Sequence, residues 1–379
     1  MEAYLAGSHP DDEEETKSMT EYLDFLKATA DKPVHACRLV SKVDQTQARL
    51  EAMYAGDGRR ILGIGLSAKL NDRSVRLRLD TGAGGIMVSR KVAEKAGLIS
   101  ISALHYGGIG DQGLQNGYWA VADHLQIGEL EFQDCLVLAS NQGSVGDEDG
   151  LIGADVFGGY LIDIDLPEMS LKLSPLPKRP EDTVAPTSLN SEGEAQAYAE
   201  QKQDSANERI SEDRTSPSPI SKPAERLPKD RYIAPEMVDW TKVFRFGHII
   251  FVPTRVNASK AMLFELDTGV FANVLSVRAG RQVGKVSSDP QTRLPGLNGD
   301  VNKVYNSKAT LLFGHLQQPN LDIITLDLST PSRHTGTEVS GFLGFGMLRF
   351  LELKLDYRDG LVDFKYDPKR GSLLQDRRR

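Results

Sequence analysis

Two stretches of the chain read alike: Val75-Arg76-Leu77-Arg78-Leu79-Asp80-Thr81-Gly82 and Met262-Leu263-Phe264-Glu265-Leu266-Asp267-Thr268-Gly269. Each is a run of strand character that ends in Asp-Thr-Gly, and each returns to apolar text eight residues after its Asp, at Val88-Ser89 and Leu275-Ser276. Further on, Leu151-Ile152-Gly153 answers to Phe342-Leu343-Gly344. From those glycines the copies align without gaps, so that Ile162, Ile164 and Asp165 correspond to Leu353, Leu355 and Asp356. The middle agrees too, with Gly107-Gly108-Ile109-Gly110-Asp111 at nearly the offset of Pro295-Gly296-Leu297-Asn298-Gly299-Asp300. A lone Asp-Thr-Gly is weak evidence, because these are ordinary turn residues at a strand end. Two in matching contexts form an internal repeat, and a repeat decides the architecture.

The rest of the composition bounds what such a repeat can be. A chain of 379 residues has room for two or three units with a core each. With 40% hydrophobic and 26% charged residues it has the balance of a globular protein, which excludes collagen-like, coiled-coil and fully unfolded readings. A formal charge of −8 offers no general attraction to phosphate backbones or anionic lipid, so no nucleic-acid partner is expected. No apolar run approaches the roughly 20 residues needed to span a bilayer. The opening Met1 to Glu15 is acidic where a signal peptide would be basic and then apolar. The default expectation is therefore a cytoplasmic chain, or a periplasmic or secreted one if it has been trimmed. Cys37 and Cys135 are so far apart that neither a disulfide framework nor a zinc knuckle is expected.

Along the chain, Met19, Tyr22, Leu23, Leu26 and Ala30 fall near 3.6-residue spacing and predict an amphipathic helix from Glu13 to Ala30, stopped by Lys32-Pro33. Alternation from Gln47 to Tyr54, with Ala48, Leu50, Ala52 and Tyr54 apolar, predicts a half-buried strand. Ile61 to Leu70 and Ser74 to Leu79 flank Asn71-Asp72 as a hairpin. Leu176 to about Asp230 is rich in Pro, Ser, Glu and Gln and too poor in apolar surface to offset the entropy of ordering. The expected organisation is a helical segment at 1–45, a first lobe at 46–175, a linker at 176–231, a second lobe at 232–368 and a basic tail at 369–379.

Other chemistries find no support. The chain has no His-Glu-x-x-His, Cys-x-x-Cys, phosphate loop or Gly-x-Ser-x-Gly. Gly108, Gly110 and Gly113 match a dinucleotide-binding spacing, but no helix pattern follows, and Gly117 comes where that helix should be running. Asp147-Glu148-Asp149 lacks the ligand spacing of a calcium loop and reads as the turn before Leu151. The seven histidines are scattered, so neither a metal nor a cofactor is expected.

With these motifs the chain resembles the aspartic peptidase family, both the two-lobed pepsin-like enzymes and the half-size retropepsins, and most narrowly the bacterial retropepsin-like proteases. The resemblance covers about 62–173 and 243–366. It implies a mainly β fold of two closed β-barrel lobes in tandem, and an endopeptidase acting on polypeptide through a water held by an Asp dyad. Carboxylates about 3 Å apart cannot both ionise, so such a pair shares one proton and supplies both base and acid. By the resemblance the dyad is Asp80 and Asp267, Thr81 and Thr268 interlock the two loops, and Gly82 and Gly269 bring backbone close to the carboxylates. Gly153 and Gly344 let a strand pass nearby. Gly108, Ile109 and Gly110 belong to a flap that closes over substrate. Val270, where the family has Ala, Ser or Thr, and Phe271, opposite Gly84, depart from the pattern and imply an asymmetric site. A linker of about 55 residues spans roughly 40 Å, which favours a dyad formed within one chain. The alternatives are a homodimer using the first lobe alone and a non-catalytic peptide-binding or scaffold protein.

Overall fold

Alternation of apolar and polar side chains makes the chain mainly β. The computed structural model describes residues 13–30, 37–54, 61–106, 115–141, 148–180, 231–292, 294–296, 299–301 and 303–370. The chain divides into two units, residues 1–176 with 237–379, and residues 177–236. All elements below belong to the first unit. Most of the expected linker and the tail beyond Arg370 lie outside the described residues.

In the N-terminal half the strands are β1 (Thr46–Tyr54), β2 (Ile61–Leu70), β3 (Arg73–Asp80), β4 (Ile86–Ser89), β5 (Ile99–Tyr106), β6 (Gln115–Ile127), β7 (Leu130–Ser140), β8 (Gly150–Gly153), β9 (Tyr160–Asp165) and β10 (Ser170–Pro175). The C-terminal half contributes β11 (Ile249–Val256), β12 (Ala261–Asp267), β13 (Val274–Ser276), β14 (Val304–Phe313), β15 (Leu316–Leu326), β16 (Gly341–Gly344), β17 (Leu351–Asp356) and β18 (Leu361–Tyr366). The pairings β2-β3-β8-β4-β7-β6 return to β2 through Lys69↔Gln126 and Leu70↔Leu125, closing a ring of strands. The pairings β11-β12-β16-β13-β15-β14 close in the same way through Thr254↔Phe313. Corresponding ladders have the same sense in both rings: β3 lies parallel to β8 and β12 parallel to β16, while the hairpins are antiparallel. The repeat read in the sequence is thus a repeat of topology.

A further sheet joins the halves, in the order Thr241–Lys242, β18, β17, β9, β10, β1. Its central ladder pairs β9 with β17 antiparallel: Ile162↔Leu355, Asp163↔Lys354, Ile164↔Leu353. Residues that align in the repeat exchange partners here, and Asp163 faces its own counterpart Lys354, with Nζ 3.8 Å from Oδ2. That register is the mark of a local two-fold axis through this pair. Arg370, at the start of the basic tail, ties the same region, 2.7 Å from Asp165 and 3.4 Å from Glu352. A continuous buried cluster runs from Leu79 and Phe157 through Ile162 and Leu355 to Leu266 and Leu343. Each such side chain contributes about 1.5–3 kcal/mol by leaving water.

Three expectations need correction. Cys37 and Cys135 are joined by a disulfide: the short strand Arg38–Leu39 pairs with β7 at Gln133 and Phe132, bringing together thiols 98 residues apart. The helix α1 (Glu13–Ala28) forms, but it packs through Glu21, Phe25 and Thr29, leaving Tyr22 and Leu26 exposed. The reason is its partner: Phe25 lies against Trp119 of β6, ring centroids 5.5 Å apart, and His105 Nδ1 of β5 lies 2.8 Å from the Glu21 carboxylate. In β1 a register shift at Met53/Tyr54 turns Met53 into the core in place of Tyr54.

Candidate active site

Both Asp-Thr-Gly loops leave the ends of strands that lie inside their rings. On β3 the core side is Val75, Leu77 and Leu79, which puts Arg78 and Asp80 on the opposite face. On β12 the last four residues, Phe264 to Asp267, are all buried. The parallel partners set Asp80 beside Gly153 and Asp267 beside Gly344. A Cβ at Gly153 would run into the Ala83 carbonyl, and one at Gly344 into that of Ala272, so glycine is what lets the strand pass.

The two loops meet. Thr81 Oγ1 accepts from the Thr268 amide at 3.0 Å and donates to the Leu266 carbonyl at 2.7 Å. Thr268 Oγ1 accepts from the Thr81 amide at 3.0 Å and donates to the Leu79 carbonyl at 2.9 Å. Both threonines are fully buried, so these bonds work where unmade ones would be costly. Within each loop the carboxylate folds back on its own glycine: Gly82 N donates to Asp80 at 2.9 Å and Gly269 N to Asp267 at 2.8 Å. Across the junction each glycine faces the other half's carboxylate. A Cβ on Gly82 would lie 2.7 Å from Asp267 Cγ, and one on Gly269 would overlap the Asp80 carboxylate. Asp80, Thr81, Gly82, Asp267, Thr268 and Gly269 therefore form one constellation.

Its electrostatics are uneven. Asp267 is 6% exposed and accepts a second bond, from Val270 N at 3.1 Å. Burial, then the nearby charges of Asp80 and Glu265, hold its carboxyl well above the usual range. Glu265, equally buried, is pushed up to about 8 by burial and by Asp80. Asp80 is only half-buried.

Several supporting residues were not read from the sequence. Asp155 accepts from Gly85 N at 3.0 Å, fixing the turn behind the first loop, and burial raises its pKa. The His248 ring sits on Gly84, where a Cβ would come 2.6 Å from Nδ1. Asn273 accepts from Gly344 N at 2.8 Å. These contacts are remote in sequence and leave no local pattern. Glu265 left only a carboxylate between apolar neighbours, on the strand face it shares with Asp267.

Gly108, Ile109 and Gly110 lie outside the described residues, as does Asp147. The strands that lead to the glycine-rich stretch are described: β5 and β6 pair antiparallel up to Tyr106↔Gln115. Gly117 is inside β6, so no helix follows the spaced glycines. Leu294–Gly296 pairs with Gly299–Val301 as a hairpin in the second half. Glu148 is buried, 4.0 Å from Arg78 Nη2, and Asp149 accepts from Arg76 N. Among the described residues no group of His, Cys, Asp and Glu has the arrangement of a metal site, and no helix is long and apolar enough to cross a membrane.

A family model described as aspartyl protease matches residues 66–156, the segment that carries Asp80-Thr81-Gly82 and Leu151-Ile152-Gly153. Among solved structures the chain is similar to an aspartic proteinase from Irpex lacteus, with 9% identity over 88% of this chain and 100% of that one and a TM-score of 0.46. No curated protein sequence matches. Over residues 66–156 the chain is therefore similar to the aspartyl protease family.

Proposed function

We propose that the protein is an aspartic endopeptidase whose dyad, Asp80 and Asp267, forms within one chain between a first lobe at 46–175 and a second at 232–368. The observation that carries this reading is the reciprocal threonine interlock of the two Asp-Thr-Gly loops. An interlock made inside one chain also favours the single-chain dyad over a homodimer of first lobes. Asp267, buried and beside two carboxylates, is the member favoured to hold the shared proton. Asp80 then carries the charge, takes a proton from the attacking water, and Asp267 donates to the oxygen of the scissile carbonyl. Extended polypeptide binds between the lobes mainly through its backbone, with Gly108, Ile109 and Gly110 as the flap residues expected from the sequence.

The test is cleavage of an unfolded protein between pH 3 and 7, with a statine-type inhibitor as control. Wild type is expected to cut, and Asp80→Asn and Asp267→Asn are each expected to abolish cutting. Loss with Asp80→Asn alone would place the dyad in a homodimer. A folded wild type that cuts nothing would make the protein a peptide-binding module.

A further inference from the structure

Two residues before each Asp, the halves carry opposite charges: Arg78 in the first and Glu265 in the second. Arg78 is half-buried and faces Glu148. Glu265 is 6% exposed, on the same face of β12 as Asp267 because strand side chains alternate. Its ladder neighbours are Phe251 and Phe342, each 2% exposed. Among the described residues no cation forms an ion pair with it, so its carboxyl has apolar walls and carboxylates for company.

The ionisable groups around it offer little compensation. The charge of Asp80 acts on it, and its own charge acts on Asp267. Tyr357, also buried, has a phenol that burial and then Asp155 push upward, with Asp80 and Glu265 adding to the effect. Arg245 lies over the Tyr357 ring at 6.0 Å and donates to the Tyr357 carbonyl. Asp155 is held by Gly85 N, and His248 packs on Gly84.

We propose that Glu265 is a positioning residue of this site: a third buried carboxyl that shares the small proton pool of Asp80 and Asp267 and extends to higher pH the range in which that pair holds one proton. The proposal deepens the peptidase reading and rests on it for its catalytic consequence. Three carboxyls this close lose their protons as a set. Once Glu265 ionises, its charge opposes loss of the last proton from the pair. A neutral residue at 265 provides no such opposition, so the pair empties at lower pH.

Two measurements test this on the full chain, wild type against Glu265→Gln and Glu265→Leu. In the pH profile of kcat/KM, the fall at high pH is expected to move down by about one unit in both variants. The second readout needs no activity. Glu265 folded titrates near 8 but near its ordinary value unfolded, so between about pH 4.5 and 8 the folded state holds a proton that the unfolded state has lost. Stability therefore falls as pH rises through that window, and the variants are relieved of that loss. The difference in Tm, variant minus wild type, is expected to grow from pH 5 to pH 8. A flat difference overturns the proposal whether or not the wild type cleaves, and so does an unmoved basic limb in an active enzyme. A growing difference in a wild type that cleaves nothing supports the protonated third carboxyl and removes only the peptidase reading.

Discussion

The two Asp-Thr-Gly loops are identical where the backbone must match and different in the burial and charge around their carboxylates. Each folds its carboxylate onto the glycine two residues on, and each threonine bonds to the other loop's amide and carbonyl. Around that shared frame, the first loop has a half-buried Asp80, Arg78 behind it and His248 seated on Gly84. The second has a buried Asp267 with an extra amide donor, Glu265 behind it, and Phe271 standing 41% exposed against Phe345. Geometry is held in common, and charge is divided between the halves.

The sharpest way to break the comparison is at the glycines. Gly269→Ala and Gly82→Ala each drive a methyl into the opposite carboxylate, and cleavage is expected to drop by about 100-fold or more in both, read as kcat/KM. Next come the threonines. Thr81→Ala and Thr268→Ala each strip two buried bonds, at a cost of about 2–4 kcal/mol apiece in denaturant unfolding. The double variant is expected to cost less than the sum, because the bonds form one network. A clearly unequal pair of single effects would mean that the interlock is not symmetric.

Smaller effects probe what differs. Gly84→Ala is expected to cost about 1–3 kcal/mol by pressing on His248, and His248→Ala in the same chain should restore most of it. Its counterpart Phe271→Ala, at an exposed position, is expected to cost less than about 1 kcal/mol. The gentlest test is the pH dependence of Asp267→Asn. The raised pKa means that the folded state keeps a proton which the unfolded chain has released, so wild-type stability declines as pH rises above the ordinary Asp range. The Asn variant escapes that decline. Its Tm relative to wild type should climb with pH, and a constant offset would sink the assignment of the proton to Asp267.

Much of this was legible in the sequence because the repeat is a repeat of structure. Asp-Thr-Gly and the later Leu-Ile-Gly or Phe-Leu-Gly mark strands that end up parallel neighbours in both rings, and the hairpin at Asn71-Asp72 follows from its turn residues, with Asn71 at φ 50°. The alignment of Ile162 and Ile164 with Leu353 and Leu355 anticipated equivalence, though not that these strands pair with each other. What stayed hidden depends on contacts remote in sequence. Cys37 meets Cys135 only because a two-residue strand adds to β7. The buried face of α1 was chosen by Trp119 and His105, not by its own most apolar stripe. Asp155 and His248 acquire their roles from the backbone of a loop about 70 residues before one and more than 160 before the other.

The register of β9 on β17 has a genetic consequence. A ladder in which aligned residues exchange partners is one that two identical chains can make, with residue 163 opposite its own copy. In a gene that encoded one such half, every substitution would enter the shared site twice. Once both halves are written in a single reading frame, each codon can change alone, and a lone glutamate at 265, with an arginine at the corresponding position 78, becomes accessible to selection without a second glutamate appearing beside it.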